Sequence, residues 1–291
     1  YLHSIEGKKT RLKLPKEGAF NGSILEIEDK ILCVYREDEK KFIACFLNKD
    51  HKAIHNSFYK LNLDCVTDPR LITTPDKKVL LSYSKIPFEN REVIAANIIM
   101  DLNVSKNNFF INKEIKVSPP NLSDRQKNWV PFIYDSKTFF VANVCPHEIY
   151  EIDVTGEKES ILKYRTEWKH PWFNNEQLRG STNPVLLADG NYLSTFHTAT
   201  KIGYAHYYDN GFYIFEGKPP FKPIFCATKT YLRAEDASEP YFRKHNQILC
   251  TFPVGMIIDK EKICISYGDN DSCVKILETN LKNAYETMVK L

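Results

Sequence analysis

Apolar positions along the chain fall in short runs rather than long stripes. Runs rich in Val, Ile, Leu, Tyr and Phe occupy Lys30–Arg36, Lys41–Leu47, Val79–Lys85, Glu92–Met100, Phe139–Val144, Glu148–Val154, Tyr192–Thr198, Gly211–Phe215, Gln247–Phe252 and Lys262–Tyr267. Asn, Asp, Lys, Gly or Pro bound them, which is the punctuation of strands joined by turns. A 3.6-residue period is nearly absent. Its best case is Cys273–Leu291, where Val274, Leu277, Leu281, Ala284 and Met288 can share a face. That stretch predicts a last strand followed by a short C-terminal helix, in a chain that is otherwise all-β.

The strands come in packets, opening near Asn21, Asp68, Trp129, Thr182 and Phe252, with gaps of about 47, 61, 53 and 70 residues. This is close to the period of four-stranded propeller blades, about 40–50 residues, with longer loops added. The packets are not similar in sequence, and a pair of β-sandwiches accommodates the same strands. Length divided by a typical domain size suggests two domains, but all-β chains of this length are often one. The expectation is a single domain over 1–291. A start at Tyr1 rather than Met suits one module of a longer protein as well as a whole one.

Composition narrows the function. Hydrophobic residues make up 43% of the chain, enough for a core, and no run approaches the 18 apolar residues of a membrane span. Glycine is scarce, at 11, and neither a GxGxxG nor a GxxxxGK[ST] motif occurs, which argues against Rossmann and P-loop nucleotide binding. A net charge of +3 from 40 basic and 37 acidic residues gives no reason to expect nucleic acid. The eight cysteines sit mostly inside strand-like runs, with no CxxC pair. They read as reduced, buried small hydrophobes in a cytoplasmic protein with no metal site or other cofactor. The sequons at Asn21, Asn103, Asn121 and Asn270 are no more than an Asn-rich chain produces by chance.

The packet openings are more polar than strand starts need to be: Phe20-Asn21-Gly22-Ser23, Thr67-Asp68-Pro69-Arg70, Lys127-Asn128-Trp129-Val130-Pro131-Phe132, Arg179-Gly180-Ser181-Thr182-Asn183 and Phe252-Pro253-Val254-Gly255. In a propeller the first strand of each blade lines the central channel. Asn21, Arg36, Asp68, Arg70, Lys127, Asn128, Arg179, His197 and Asp271 would then converge on one axial pocket. Trp129, Phe132, Tyr204, Phe252 and Tyr267 would supply aromatic surface for sugar rings. A few carboxylates among several cations and aromatics is the composition of a carbohydrate or sugar-phosphate site.

These motifs resemble those of the mannoside phosphorylases and β-mannosidases of glycoside hydrolase family 130, and of the related β-1,2-mannosyltransferases of glycosyltransferase family 108. The resemblance runs from about Phe20 to Val274. It rests on Asn21 with Tyr35-Arg36, Asp68-Pro69-Arg70, Lys127–Phe132, Arg179–Val185 with His197, and Tyr267–Asp271. It implies a five-bladed β-propeller with one axial active site and an inverting mannosyl transfer. Asp68 would be the acid, passing its proton to the glycosidic oxygen through a mannose hydroxyl. One carboxylate suffices when phosphate is the nucleophile, unlike the carboxylate pair of most glycosidases. Because an Arg touching the acid would lower its pKa, Arg70 is expected to be turned away from the Asp68 carboxyl.

By the same resemblance, Asn21, Arg36, Arg70, Asn128, Trp129, Tyr204 and Asp271 would bind the sugar. Lys127, Arg179 and His197 would hold an anion: phosphate, mannose 1-phosphate or the diphosphate of a nucleotide-mannose donor. Two departures stand out. Cys145-Pro146 occupies the place where the family's phosphorylases carry an Arg-Pro pair, and Thr67 precedes Asp68 in place of Glu or Tyr. A β-mannoside hydrolase and a non-catalytic glycan-binding module are the competing expectations.

Overall fold

A computed structural model describes the chain except for residues 1–4, 16–17, 38–40, 64–65, 86–91, 102–107, 118, 120–126, 174–177, 203–204 and 241–247. A short strand β1 (Lys8–Arg11) precedes a meander of β2 (Ala19–Ile27), β3 (Lys30–Glu37), β4 (Lys41–Leu47) and β5 (Tyr59–Lys60). A second comprises β6 (Val66–Thr73), β7 (Val79–Lys85), β8 (Glu92–Asp101) and β9 (Asn108–Lys116). A third comprises β10 (Val130–Tyr134), β11 (Lys137–Asn143), β12 (His147–Ile152) and β13 (Ile161–Thr166). Then come β14 (Arg179–Gly180), β15 (Val185–Leu186), β16 (Tyr192–His197), the hairpin β17 (Thr200–Ile202) and β18 (Ala205–Tyr208), β19 (Asn210–Phe215) and β20 (Pro223–Ala227). The chain closes with β21 (Ile248–Asp259), β22 (Lys262–Asp269), β23 (Cys273–Asn280), α1 (Leu281–Tyr285) and β24 (Met288–Lys290).

Every strand predicted from an apolar run is present. The runs do not mark β2, β6 and β10, whose polar openings break the alternation. The predicted terminal helix is only α1. Asn280 caps it by accepting a 2.8 Å hydrogen bond from the Asn283 amide. The helical face stops there because Met288–Lys290 is taken up as an edge strand on β20.

The arrangement is all-β and propeller-like. Contacts run from β2 to β6, β6 to β10, β11 to β14, β16 to β21, and from β21 back to β2. Expectation and structure part over the blades, which are not five equal four-stranded units. Three sheets are four-stranded meanders, and two have six strands. In one of the larger sheets the C-terminal β24 forms the outer edge. In the other, β1 pairs β23 at one edge, and the β17–β18 hairpin joins the opposite edge with β18 parallel to β21. Both ends of the chain therefore complete sheets begun elsewhere.

The core lies between neighbouring sheets, which explains the aromatic content. Phe42, Phe46, Leu71 and Tyr83 fill the first interface, and Leu80, Trp129, Phe140 and Tyr150 the second. Phe132, Phe196, Tyr213 and Phe215 fill the third, Phe212, Tyr231, Ile265 and Tyr267 the fourth, and Cys33, Cys45, Cys264 and Ile276 the fifth. Each such side chain contributes about 1.5–3 kcal/mol by leaving water. The seven described cysteines are free and buried.

Candidate active site

The inner strands share a backbone device. β2 shifts register against β3 between Phe20 and Ser23, β6 against β7 between Thr67 and Arg70, and β21 against β22 between Pro253 and Gly255. In the first two bulges Asn21 (φ 48°) and Asp68 (φ 57°) adopt the left-handed conformation, as does Asn128 (φ 64°) just before β10. Asn270 (φ 48°) and Asp271 (φ 50°) do so in the β22–β23 turn. Such residues cost about 1–2 kcal/mol each outside glycine, less for Asn and Asp, and they gather at functional sites. Short polar side chains with a local hydrogen-bonding option suit these corners best, in keeping with packet openings that read Asn and Asp.

Arg70 holds three sheets together at this centre. It is 1% exposed. Its Nε donates to the Ser181 carbonyl at 2.7 Å and its Nη1 to the Asp68 backbone carbonyl at 3.0 Å. Its Nη2 reaches Asn128 Oδ1 and the Gly180 carbonyl, both at 3.4 Å. As expected, the guanidinium bonds the Asp68 main chain and not its carboxyl. The expected sugar contact by Arg70 is replaced by a positioning role, because at most one of its five N–H groups is left for a ligand. Burial pushes its pKa down to about 10, with the Asp68 charge opposing.

Electrostatics tie the other residues to this point. His197 is buried beside Phe252 and Tyr208, and its Nδ1 shares a 2.8 Å hydrogen bond with Ser181 Oγ. Burial first, and then the charges of Lys127, Arg70 and Arg179, hold its pKa well below the ordinary 6.5. Lys127 and Arg179 therefore both act on His197, which is a neutral hydrogen-bonding group and not the expected third cation. Its neighbour Arg70 supplies a third positive charge beside Lys127 and Arg179. Buried Cys250 feels the negative side. After burial, Asp271, Asp68 and Asp269 raise its pKa well above 9.0. Asp68 and Asp271 thus act on one buried group, and Lys127 acts on it with the opposite sign.

Asn21 is 4% exposed, and its Oδ1 has no hydrogen-bond partner in the structure. It packs where a Cβ on Gly268 would sit 1.9 Å from that oxygen, so the Tyr267-Gly268 pair must carry glycine. Gly180 makes a like allowance, since a Cβ there would lie 2.7 Å from the Asn128 carbonyl. Arg36, also buried, lies over the Phe20 ring at 4.6 Å.

Three of the expected sugar-facing aromatics turn inward instead. Trp129 is 2% exposed and packs on Tyr150 at 4.7 Å between the second and third sheets, so it is core and not a sugar platform. Phe132 and Tyr267 are core as well. Tyr204 lies outside the described residues. Cys145 is buried and donates to the Trp168 carbonyl at 2.9 Å, so the third-sheet position carries a core thiol and no cation.

Three contributors were missed. Ser181 anchors both Arg70 and His197. Asn183 has a buried Oδ1 with no hydrogen-bond partner in the structure. Asn270 locks the Asp271 turn by accepting from the Cys250 amide and donating to the Glu239 carbonyl, at 2.8 and 2.7 Å. The polar strand-start pattern that marked Asn21 covers Asn183 and Ser181 too. Nothing local marks Asn270, whose partners are 20 and 31 residues away.

Three of the four buried histidines give the fold an acid limit. Burial lowers His147 to about 3 and His170 to about 4, and His197 is depressed as well. Their folded pKa values lie below the unfolded 6.5, so between the two the unfolded chain binds more protons and stability rises with pH. We expect stability to be full above pH 6.5. It should fall on acidification by up to about 1.4 kcal/mol per pH unit for each histidine, down towards pH 4. Urea titrations at pH 7, 6 and 5 check this. A midpoint independent of pH, or one that rises towards pH 5, would contradict it.

The sequence profile of glycoside hydrolase family 130, described as beta-1,4-mannooligosaccharide phosphorylase, matches residues 4–290. The chain belongs to this family. No curated protein matches it by sequence. Among solved structures, a Listeria innocua beta-1,2-mannobiose phosphorylase in complex with beta-1,2-mannobiose superposes with a TM-score of 0.62 at 13% identity. That match covers 95% of this chain and 94% of the other. A mannose phosphorylase from Leishmania mexicana, in complex with a phosphate ion, gives 0.61 at 8% identity over 100% and 92%. A family 130 structure described for glycoside hydrolases that target beta-1,2 mannosidic linkages in Candida mannan gives 0.64 at 12% identity over 91% and 84%. At these identities the likeness speaks for the family 130 fold alone. Among the described residues no helix is long and apolar enough to cross a membrane.

Proposed function

We propose that this family 130 chain is an inverting mannosyl-transfer enzyme, a mannoside phosphorylase. It moves a mannosyl group between a β-mannoside and inorganic phosphate. The observation that carries this reading is the division of charge at the centre. Asp68, in its strained corner, has a carboxyl that Arg70 leaves unengaged, and the positive charges of Lys127, Arg70 and Arg179 all act on a neutral His197.

In this reading the five sheets act as the blades of one five-bladed propeller whose axis is the site. Asp68 donates a proton, relayed by a mannose hydroxyl, to the glycosidic oxygen as the bond to C1 breaks. A phosphate oxygen, held by Lys127 and Arg179 with a hydrogen bond from His197, attacks C1 from the opposite face. The β-linkage thereby yields α-mannose 1-phosphate. Asn21, Arg36 and Asp271 orient the sugar hydroxyls, and the open Oδ1 acceptors of Asn21 and Asn183 suit hydroxyl donors. Free buried cysteines fit a reducing, cytoplasmic setting.

The test is a matched assay on short β-mannosides with and without phosphate, run in reverse with mannose 1-phosphate and separately with GDP-mannose. Phosphate-dependent release of mannose 1-phosphate, and chain extension from it, is the expected result. Extension from GDP-mannose alone would make the chain a nucleotide-sugar transferase. Phosphate-independent release of mannose would make it a hydrolase. Tight mannoside binding without turnover would make it a lectin-like module.

A further inference from the structure

Outside the axial site, the described residues bring together one group of three side chains with metal-ligating chemistry: His51, Cys264 and Glu278. Cys264 and Glu278 are cross-strand partners on β22 and β23. His51 reaches them from the β4–β5 loop of the first sheet. Their ligand atoms lie within 4.8 Å of one another, and His51 Nδ1 is 3.6 Å from Glu278 Oε1. Tetrahedral zinc, with Zn–N and Zn–O of about 2.0–2.2 Å and Zn–S of about 2.3 Å, sets its ligands roughly 3.4–3.6 Å apart. The imidazole–carboxylate pair already has that spacing, and the wider separations close with a movement of about 1 Å.

We propose that His51, Cys264 and Glu278 form a zinc-type divalent metal site that staples the first sheet to the last, at the seam where the ring closes. A nitrogen, a sulfur and an oxygen ligand together suit a borderline-soft ion and disfavour Mg2+ and Ca2+, which take oxygen. Three protein ligands leave a fourth position for water.

The turn that carries His51 sets where its imidazole lies. His51 has φ 59°, the left-handed region, in a tight turn built for it. Its amide donates to the Asn48 carbonyl at 2.9 Å, while Asn48 Oδ1 accepts from the amides of Asp50 and Lys52 at 3.0 and 2.9 Å. The turn drives an imidazole that is 9% exposed against the neighbouring sheet. There it meets the Glu278 carboxylate across the seam, with Nδ1 3.6 Å from Oε1.

The charged groups facing the site define a competitor. Lys262 Nζ bonds Glu278 Oε1 at 2.7 Å. Lys8 pairs with Glu278 across β1 and β23, and Asp50 adds a negative charge near His51. The Lys262 side chain is 54% exposed and can swing into solvent when an ion takes its place on Glu278. Binding forms a metal–sulfur bond, and the Cys264 thiol releases its proton to solvent.

The test uses the full chain, stripped by a chelator, titrated with Co2+ as an optical probe and then competed with Zn2+. One ion per chain, with a thiolate-to-cobalt absorption band, is expected. Cys264→Ala should abolish the band, and His51→Ala should weaken binding at least ~10-fold. Lys262→Ala removes the competitor from an exposed position, so it should tighten binding without disturbing the fold. Zn2+ should raise the melting temperature of the parent chain and not of the Cys264→Ala variant. Absence of a thiolate band in the parent chain overturns the proposal, as does a band that survives Cys264→Ala. If His51→Ala or Cys264→Ala fails to fold, Lys262→Ala decides alone: unchanged or weaker binding in that variant counts against the site.

Discussion

Asp68→Asn should lower turnover by about 10²- to 10⁴-fold, the usual contribution of a positioned general acid, while leaving the fold and mannoside binding in place. Asparagine keeps the short polar side chain that the left-handed corner at φ 57° requires, so the bulge between Thr67 and Arg70 survives. The anchor beneath it survives too, because Arg70 bonds the backbone carbonyl of this residue and not its carboxyl. What is lost is the proton that the departing glycosidic oxygen needs. The defect should sit in kcat rather than KM, since a contact made only as the bond breaks leaves ground-state binding unchanged. A substrate with a leaving group that departs without protonation should recover much of the lost rate. Full activity of Asp68→Asn on an ordinary β-mannoside would remove Asp68 from the mechanism.

Arg70→Met should be the most damaging single change to the fold at the axis, lowering stability by about 3–5 kcal/mol. Methionine keeps much of the buried stem and deletes the guanidinium. The carbonyls of Ser181, Gly180 and Asp68 and the Asn128 amide oxygen then lose their donor in a place that is almost closed to water. Hydrogen bonds to a charged group contribute about 1.5–3 kcal/mol each, and stranded acceptors add their desolvation. At 2–4 °C per kcal/mol for a chain of this size class, the melting temperature should fall by roughly 10 °C. Arg70→Lys is the informative companion. It retains the charge but cannot span acceptors on three sheets, so it should recover only a minor part of the loss. A melting temperature within a degree or two of the parent for Arg70→Met would show that other contacts hold the second, third and fourth sheets in register.

Arg70 and His197 show where reading the chain in one dimension stops. Asp68-Pro69-Arg70 predicts an acid with a nearby cation, and chemistry alone argues that the two must not pair. The partners that keep them apart lie 58, 110 and 111 residues further along. Sequence marks His197 only as a candidate anion-site residue. Its neutrality is not, because that follows from enclosure by Phe252 and Tyr208 and from three positive charges contributed by separate sheets. Trp129 fails for the complementary reason. Its motif is intact, but it sits just ahead of β10, and only the packing of the third sheet on the second decides that this indole turns into the core.

Local chemistry along the chain marks the strands built on apolar runs, their order and the polar starts of the inner strands. Apolar alternation and turn chemistry act over a few residues, and Asn and Asp suit left-handed corners locally. The tertiary structure alone decided which sheets carry four strands and which six, and how β1 and β24 complete sheets begun far away. It also decided that Arg70 is a buried tie rather than a sugar ligand, and that His51 meets Cys264 and Glu278 at the seam. Those outcomes depend on which sheet lies beside which, and on how much water is excluded between them. Both are set only when the ring closes.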